Sequence, residues 1–150
     1  GYLGITTTEY NSTPKIEGLS LEDYLIKHPE TYVSAPPTQY LSVALKYLPI
    51  FILTRYMFLE QILANQLWCY KYFKNDFDIK YAKTPENKLN WLSRDDSNYL
   101  IEDYPFNIRK DVPYFNRIIL IDAPYNQDVD CRFRAHNPNE LQNILDEVIR

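Results

Sequence analysis

Hydrophobic residues near the carboxyl end of the chain repeat at helical spacing. Leu141, Ile144, Leu145 and Val148 occupy positions i, i+3, i+4 and i+7, which places them on one face of a helix. The preceding segment, Asn137-Pro138-Asn139-Glu140, combines a capping amide, a proline suited to the first turn and a glutamate that can complete a capping box. We therefore predict an amphipathic helix that begins directly after Asn137.

Two predicted strands precede this helix. Residues 118–121 form a continuous apolar run, and residues 129–135 alternate apolar with polar positions. The turn-forming residues at 124–128 favour antiparallel pairing of these strands. A second hairpin is predicted from the aromatic-rich segment 67–73 and the alternating segment 77–81, which are joined by the turn candidate Asn75-Asp76.

Further helices are predicted from capping residues. Ser20, followed by Asp23, resembles a capping box and predicts a helix that Pro29 ends. Thr38 can cap a helix that extends to residue 48. Residues 50–66 predict a second helix as the preferred interpretation, with a buried strand over 50–57 as the alternative. Thr84-Pro85 predicts another helix start. We interpret residues 31–37 as a loop.

These elements predict an α+β fold. We expect an antiparallel sheet of short hairpins with helices packed on one face, including the amphipathic helix at the carboxyl end. Residues 1–18 are expected to be an extended segment, and residues 19–150 a single domain, which agrees with the chain length of 150 residues.

Charge and glycine content restrict the possible functions. The net charge of −4 gives no basic footprint for nucleic acid. After Gly18 the sequence contains no glycine, so phosphate-binding loops, dinucleotide fingerprints and the nucleophile elbow of hydrolases are absent. His28 and His136 are the only histidines, which excludes a metal site built on two histidines at helical spacing.

The two cysteines, Cys69 and Cys131, are interpreted as buried thiols rather than as a disulfide framework or a zinc site. A nucleophilic pair of Cys131 with His136, or of Cys69 with either histidine, is formally available, but nothing in the spacing favours it. Asp122 follows the 118–121 strand at a position where α/β enzymes place catalytic carboxylates. The glycine-free loop and the predicted antiparallel partner strand both argue against that role.

A metal-dependent nuclease is one alternative function. One strand face carries acids and a lysine at alternate positions, namely Asp76, Asp78 and Lys80. An acid and a lysine two residues apart, with a further acid nearby, can bind Mg²⁺ and orient an attacking water. Glu60 on a preceding helix is a possible further ligand. Under this alternative Mg²⁺ is the cofactor; otherwise we expect none.

An aromatic and lysine-rich stretch is the second candidate site. Its proposed binding residues are Trp68, Tyr70, Lys71, Tyr72 and Tyr81. Such a surface can anchor another protein, or stack the bases of a single-stranded nucleic acid. The net acidity of the chain disfavours the nucleic-acid interpretation.

We therefore predict a non-enzymatic protein-interaction domain whose partner is another protein. The longest apolar run, residues 48–58, is too short and interrupted to span a membrane, and no signal peptide is evident. We expect an intracellular, cytoplasmic protein. The chain begins with Gly1 and has Met57 as its only methionine, so we expect a processed product or part of a longer protein.

Overall fold

A computed structural model describes residues 16–56, 58–84, 90, 92, 97–108, 110–111 and 114–149. The described residues up to Lys83 form one compact unit, and those from Thr84 onward form a second. The single domain over residues 19–150 stays a prediction. Most of the segment expected to be extended, 1–18, lies outside the described residues, as does most of the helix predicted to begin at Thr84-Pro85.

Three short helices begin the first unit. Helix α1 (Leu21–Lys27) starts where predicted, because the Ser20 hydroxyl accepts a hydrogen bond of 3.0 Å from the backbone N–H of Asp23. Helix α2 (Glu30–Ser34) occupies part of the predicted loop. Helix α3 (Leu41–Ala44) continues as a single 3₁₀ turn. The helix that we predicted to extend from Thr38 to residue 48 is therefore much shorter.

A βαβ unit follows and corrects the first predicted hairpin. Strand β1 (Ile50–Arg55) pairs in parallel with strand β2 (Phe77–Ala82), and helix α4 (Leu59–Phe73) connects them. Residues 50–55 thus adopt the strand that we considered as the alternative to a helix. Residues 67–73 are helical instead of forming a strand, because their apolar run has no clear period and simply extends a helix already started by residues 59–66.

Alternation along the strands determines which residues face α4. Ile52 and Ile79 line a space shared with α4 side chains. On the opposite face, Phe51 is 64% exposed and Asp78 is also exposed. One face of the two-stranded sheet is therefore covered by α4, as expected for side chains that alternate between the two faces of a strand.

The second unit contains a three-stranded parallel sheet. Its strands are β3 (Leu100–Glu102), β4 (Ile118–Ile121) and β5 (Phe133–Ala135), in the spatial order β3-β4-β5. Ile118, Ile119 and Leu120 of the central strand are fully buried, as is typical of a strand covered on both faces.

The parallel pairing of β4 with β5 contradicts the predicted antiparallel hairpin. Residues 122–132 are long enough to return the chain to the starting edge of the sheet, whereas our prediction treated 124–128 as a single tight turn. Within the described residues, the fold has five helices and two small, wholly parallel sheets. The predicted antiparallel sheet of hairpins is therefore wrong.

The helix at the carboxyl end is confirmed. Helix α5 (Pro138–Val148) buries Leu141 and Leu145 and packs against β5. The Asn137 side chain accepts a hydrogen bond from the backbone N–H of Glu140, and the Glu140 carboxylate accepts one from the backbone N–H of His136. This is the capping box that the sequence indicates. Across the described ranges, no helix is both long and apolar enough to cross a membrane.

Candidate functional site

The outer face of α4 carries a row of exposed apolar side chains. Leu59, Leu63, Leu67 and Tyr70 are 74%, 60%, 48% and 57% exposed. At 3.6 residues per turn, these four positions lie within about 80° of one another around the helix axis. They extend along about 17 Å of that axis, at a rise of about 1.5 Å per residue. We call these four residues the α4 outer face.

The opposite side of α4 packs within the first unit. Ala64, Cys69 and Phe73 are buried. The Trp68 indole N–H donates a hydrogen bond of 2.8 Å to the backbone carbonyl of Ala35, just after α2. Helix α4 is thus apolar on both its inner and its outer side, a pattern typical of a helix that is buried all round.

Charged side chains border the α4 outer face. Glu60 and Lys71 are exposed and lie on one flank of the row, at about 100° and 120° from Leu59 around the axis. An apolar centre with a charged edge is the arrangement that protein interfaces usually have.

The predicted aromatic and lysine-rich surface does not form one face. Tyr70 and Lys71 are exposed, whereas Trp68 and Tyr72 are half-buried with their rings 4.6 Å apart. Tyr81 lies on β2, and its hydroxyl donates a hydrogen bond of 3.0 Å to the carbonyl of Ile62. Of the predicted residues, Tyr70 alone belongs to the α4 outer face.

Sequence reasoning missed Leu59, Leu63 and Leu67 as surface residues. Their i, i+4, i+8 spacing is visible in the sequence, but a single apolar stripe on a helix usually faces the core, so the pattern predicts burial of Leu59 and Leu63. The available signal is that apolar residues also occur on the other side of the same helix, at Ala64, Trp68 and Cys69.

The positions of the nuclease alternative are separated by the βαβ topology. Glu60 lies in the first turn of α4, and Asp76 follows the end of that helix. The two are therefore about 20 Å apart along the helix, at about 1.5 Å per residue. Asp78 and Lys80 lie on the exposed face of β2 and form an ion pair of 2.5 Å with each other. In the described parts of the chain, no three His, Cys, Asp or Glu side chains could together hold a metal ion.

The carboxyl edge of the three-stranded sheet concentrates polar side chains. Glu102, which ends β3, is buried and accepts a hydrogen bond of 2.6 Å from the amide of Asn107. The next residue, Asp103, accepts a hydrogen bond from the Tyr125 hydroxyl. Burial raises the pKa of Asp103 above its ordinary value, despite that hydrogen bond.

Asp122 follows β4 at the same edge and has the opposite electrostatic character. Arg134 donates a hydrogen bond of 2.7 Å to its carboxylate, and the His136 Nδ1 atom lies 3.5 Å from it. Partial burial acts to raise the pKa of Asp122. The hydrogen bonds from Arg134, Gln127 and His136 outweigh that effect and lower the pKa.

These groups hold the chain between β4 and β5 in place. The Arg134 guanidinium also donates to the Asn126 side chain and to the backbone carbonyls of Asn126 and Val129. Because the sheet is parallel, Asp122 does lie at the edge where α/β enzymes bind ligands, and the objection based on antiparallel pairing was wrong. Its interactions with Arg134 and Gln127 nonetheless give it a structural role.

Neither cysteine has the character of a nucleophile. Cys69 is buried, and burial raises the pKa of its thiol to about 11. Burial also raises the pKa of Cys131, against the opposing effect of the nearby Arg134. Both thiols are therefore protonated at neutral pH, whereas a nucleophilic cysteine requires the thiolate.

Comparison of the chain with protein-family models, with curated proteins and with solved structures found no match in any of the three. The geometry of the chain itself is therefore the basis for its functional assignment.

Proposed function

We propose that this protein is a protein-interaction module and that the α4 outer face is the centre of its binding surface. The observation that carries the proposal is the row of four large apolar side chains, each between 48% and 74% exposed. Contiguous exposed apolar patches on folded proteins mark sites of interaction with other molecules.

The energetics favour a binding role for this row. Complete burial of one large apolar side chain contributes about 1.5–3 kcal/mol. At Leu59 and Leu63, the most exposed members, most of this free energy remains available to a complex, because the fold leaves more than half of each residue's surface exposed. Tyr70 adds a ring of the type enriched at the energetic centres of interfaces.

The shape of the surface indicates the kind of partner. A row about 17 Å long on one helix matches an apolar groove or the apolar face of another helix, as in helix-in-groove recognition. Glu60 and Lys71 lie on one flank of the α4 outer face, so this flank carries an acid and a base about 11 residues apart along the helix. A partner with a base and an acid at matching positions would be favoured in one orientation.

A charge substitution in the row tests the proposal. We expect Leu63→Lys to weaken partner binding by roughly 10- to 100-fold, because it places a charge at the centre of the contact. The matched control is Phe51→Lys, since Phe51, at 64% exposed against 60% for Leu63, lies on the sheet face away from α4.

The measurement uses both variants and the unmodified protein. Each is immobilised to capture partners from cells, and the affinity of a purified captured partner is then measured by calorimetry. Equal binding by Leu63→Lys and the unmodified protein, with unchanged circular dichroism, would contradict the proposal. If the protein alone is dimeric and Leu63→Lys is monomeric, the partner is a second copy of the chain.

A further inference from the structure

A cavity of about 360 Å³ that is partly open to solvent lies on the inner side of α4 in the first unit. Helices α2 and α4 and the covered face of the β1–β2 sheet line it. Most of its wall is aromatic or aliphatic, contributed by Tyr32, Ile52, Trp68, Phe73 and Ile79.

The polar groups in the wall are few and uncharged. The side chains of Thr54 and Asn65 form a long hydrogen bond of 3.4 Å at the wall. The Trp68 indole N–H donates to the Ala35 carbonyl. Cys69 contributes a thiol that stays protonated at neutral pH, because burial raises its pKa to about 11. Among the described residues that line the cavity, none is an acid, a lysine, an arginine or a histidine.

We propose that this cavity is a binding site for a small, uncharged aromatic molecule of one or two rings that carries one hydrogen-bonding group. The size of the cavity sets the number of rings, because an apolar cavity of about 150 Å³ already accepts benzene. Its volume of about 360 Å³ is within the range of natural ligand pockets.

The character of the wall sets the chemistry of the ligand. Aromatic rings pack favourably against Trp68, Tyr32 and Phe73 in edge-to-face or offset geometry. The Asn65 amide can present a donor or an acceptor to a ligand hydroxyl. A charged ligand would lose part of its hydration without gaining a partner of opposite charge, which is unfavourable. This site lies on the side of α4 opposite the outer face, so the proposal is independent of the proposed function.

Binding of naphthol is the experiment, with naphthoate as the charged analogue of similar size. We expect naphthol to shift the Trp68 indole signal in a proton–nitrogen correlation spectrum of the full chain, and naphthoate to bind at least about 10-fold more weakly. Trp68→Phe identifies the signal by removing it.

Two substitutions locate the binding. Ala35→Leu fills the cavity and should abolish the shift, whereas Ala44→Leu on α3, away from the cavity wall, should leave it unchanged. Should Ala35→Leu fail to fold, the near-isosteric Asn65→Leu serves instead and should weaken naphthol binding several-fold but leave naphthalene binding unaffected. No response of Trp68 to naphthol up to its solubility limit would overturn the proposal. Equal binding by naphthoate, or by every folded variant, would overturn it as well.

Discussion

Asn126 organises the carboxyl edge of the three-stranded sheet. It is 1% exposed, and its amide nitrogen donates to the carbonyls of Asp103 and Ile121, which connects the ends of β3 and β4. Its amide oxygen accepts from the backbone N–H of Ala123 and from Arg134. One side chain thus satisfies buried polar groups from three parts of the unit.

Replacement of Asn126 should therefore be costly. We expect Asn126→Ala to lower the free energy of unfolding by about 3 kcal/mol, because several buried polar groups lose their partner at once. Urea denaturation followed by circular dichroism measures the change. Asn143→Ala, at an exposed position on α5, is the matched control and should change the free energy by less than about 0.5 kcal/mol. A similar small effect at Asn126 would show that the loop is held by other contacts.

Asp103 and Asp122 should give opposite dependences of stability on pH. The lowered pKa of Asp122 stabilises the fold above its ordinary pKa, and this contribution is lost as pH falls through the lowered value. For Asp103 the pKa is raised, so the stability of the fold falls as the pH rises from the ordinary aspartate pKa through the raised pKa.

Two isosteric variants separate these effects. Asp122→Asn should be less stable than the unmodified protein at neutral pH, with the difference shrinking as the solution is acidified below the ordinary aspartate pKa. Asp103→Asn should lose the decline in stability that accompanies rising pH, since the amide resembles the protonated acid. Thermal unfolding across a series of buffers measures both. Parallel pH profiles for the two variants would contradict the assigned electrostatics.

At the scale of elements, the start of α5 is the best test of local sequence signals. Asn137→Ala should lower the free energy of unfolding by about 1 kcal/mol, the usual contribution of a capping side chain. Asn139→Ala, two residues later, retains the cap and should have little effect. Chemical denaturation compares them, and equal losses would mean that the cap hydrogen bond contributes nothing to stability.

Elements with a strong local signal were predicted correctly. Four predicted features depend on neighbouring residues alone, and each is confirmed: the caps at Asn137 and Ser20, the alternation in 77–81 and the apolar run 118–121. Residues 67–73 were assigned wrongly because aromatic residues favour strands, while the residues before them favour a helix that continues through the run.

Pairing direction could not be predicted from the same signals. Whether β4 and β5 are parallel depends on how residues 122–132 fold back, and that path is fixed by Asn126 and Arg134 through side-chain contacts that no local pattern reveals. The α4 outer face was missed for a related reason. Spacing shows that Leu59, Leu63 and Leu67 share a face, but only the packing of α2 and the sheet shows that this face is the exposed one.

At the scale of the whole molecule, charge and the α4 outer face should act together. The sequence isoelectric point is about 5.2, so repulsion between copies disappears near that pH. We expect self-association to be greatest there, because exposed apolar side chains then meet without an electrostatic barrier. Light scattering across a pH series measures this.

The α4 outer face should account for most of that association. Leu63→Lys should reduce scattering at each pH more than Phe51→Lys does, although both substitutions add the same charge. Equal suppression by the two variants would assign the association to net charge alone.

The way in which Asn126 and Arg134 fix the β4–β5 connection also has a practical consequence. Between the residues that they hold, Gln127 and Asp128 are exposed and form a turn. An insertion between these two residues breaks the hydrogen bond from the Val129 N–H to the Asn126 carbonyl, but Arg134 still binds the carbonyls of both residues. The loop is therefore extended at an entropic cost that grows only slowly with length. An epitope or a fluorophore-binding peptide placed there would report on the protein in cells while leaving both the α4 outer face and the cavity unmodified.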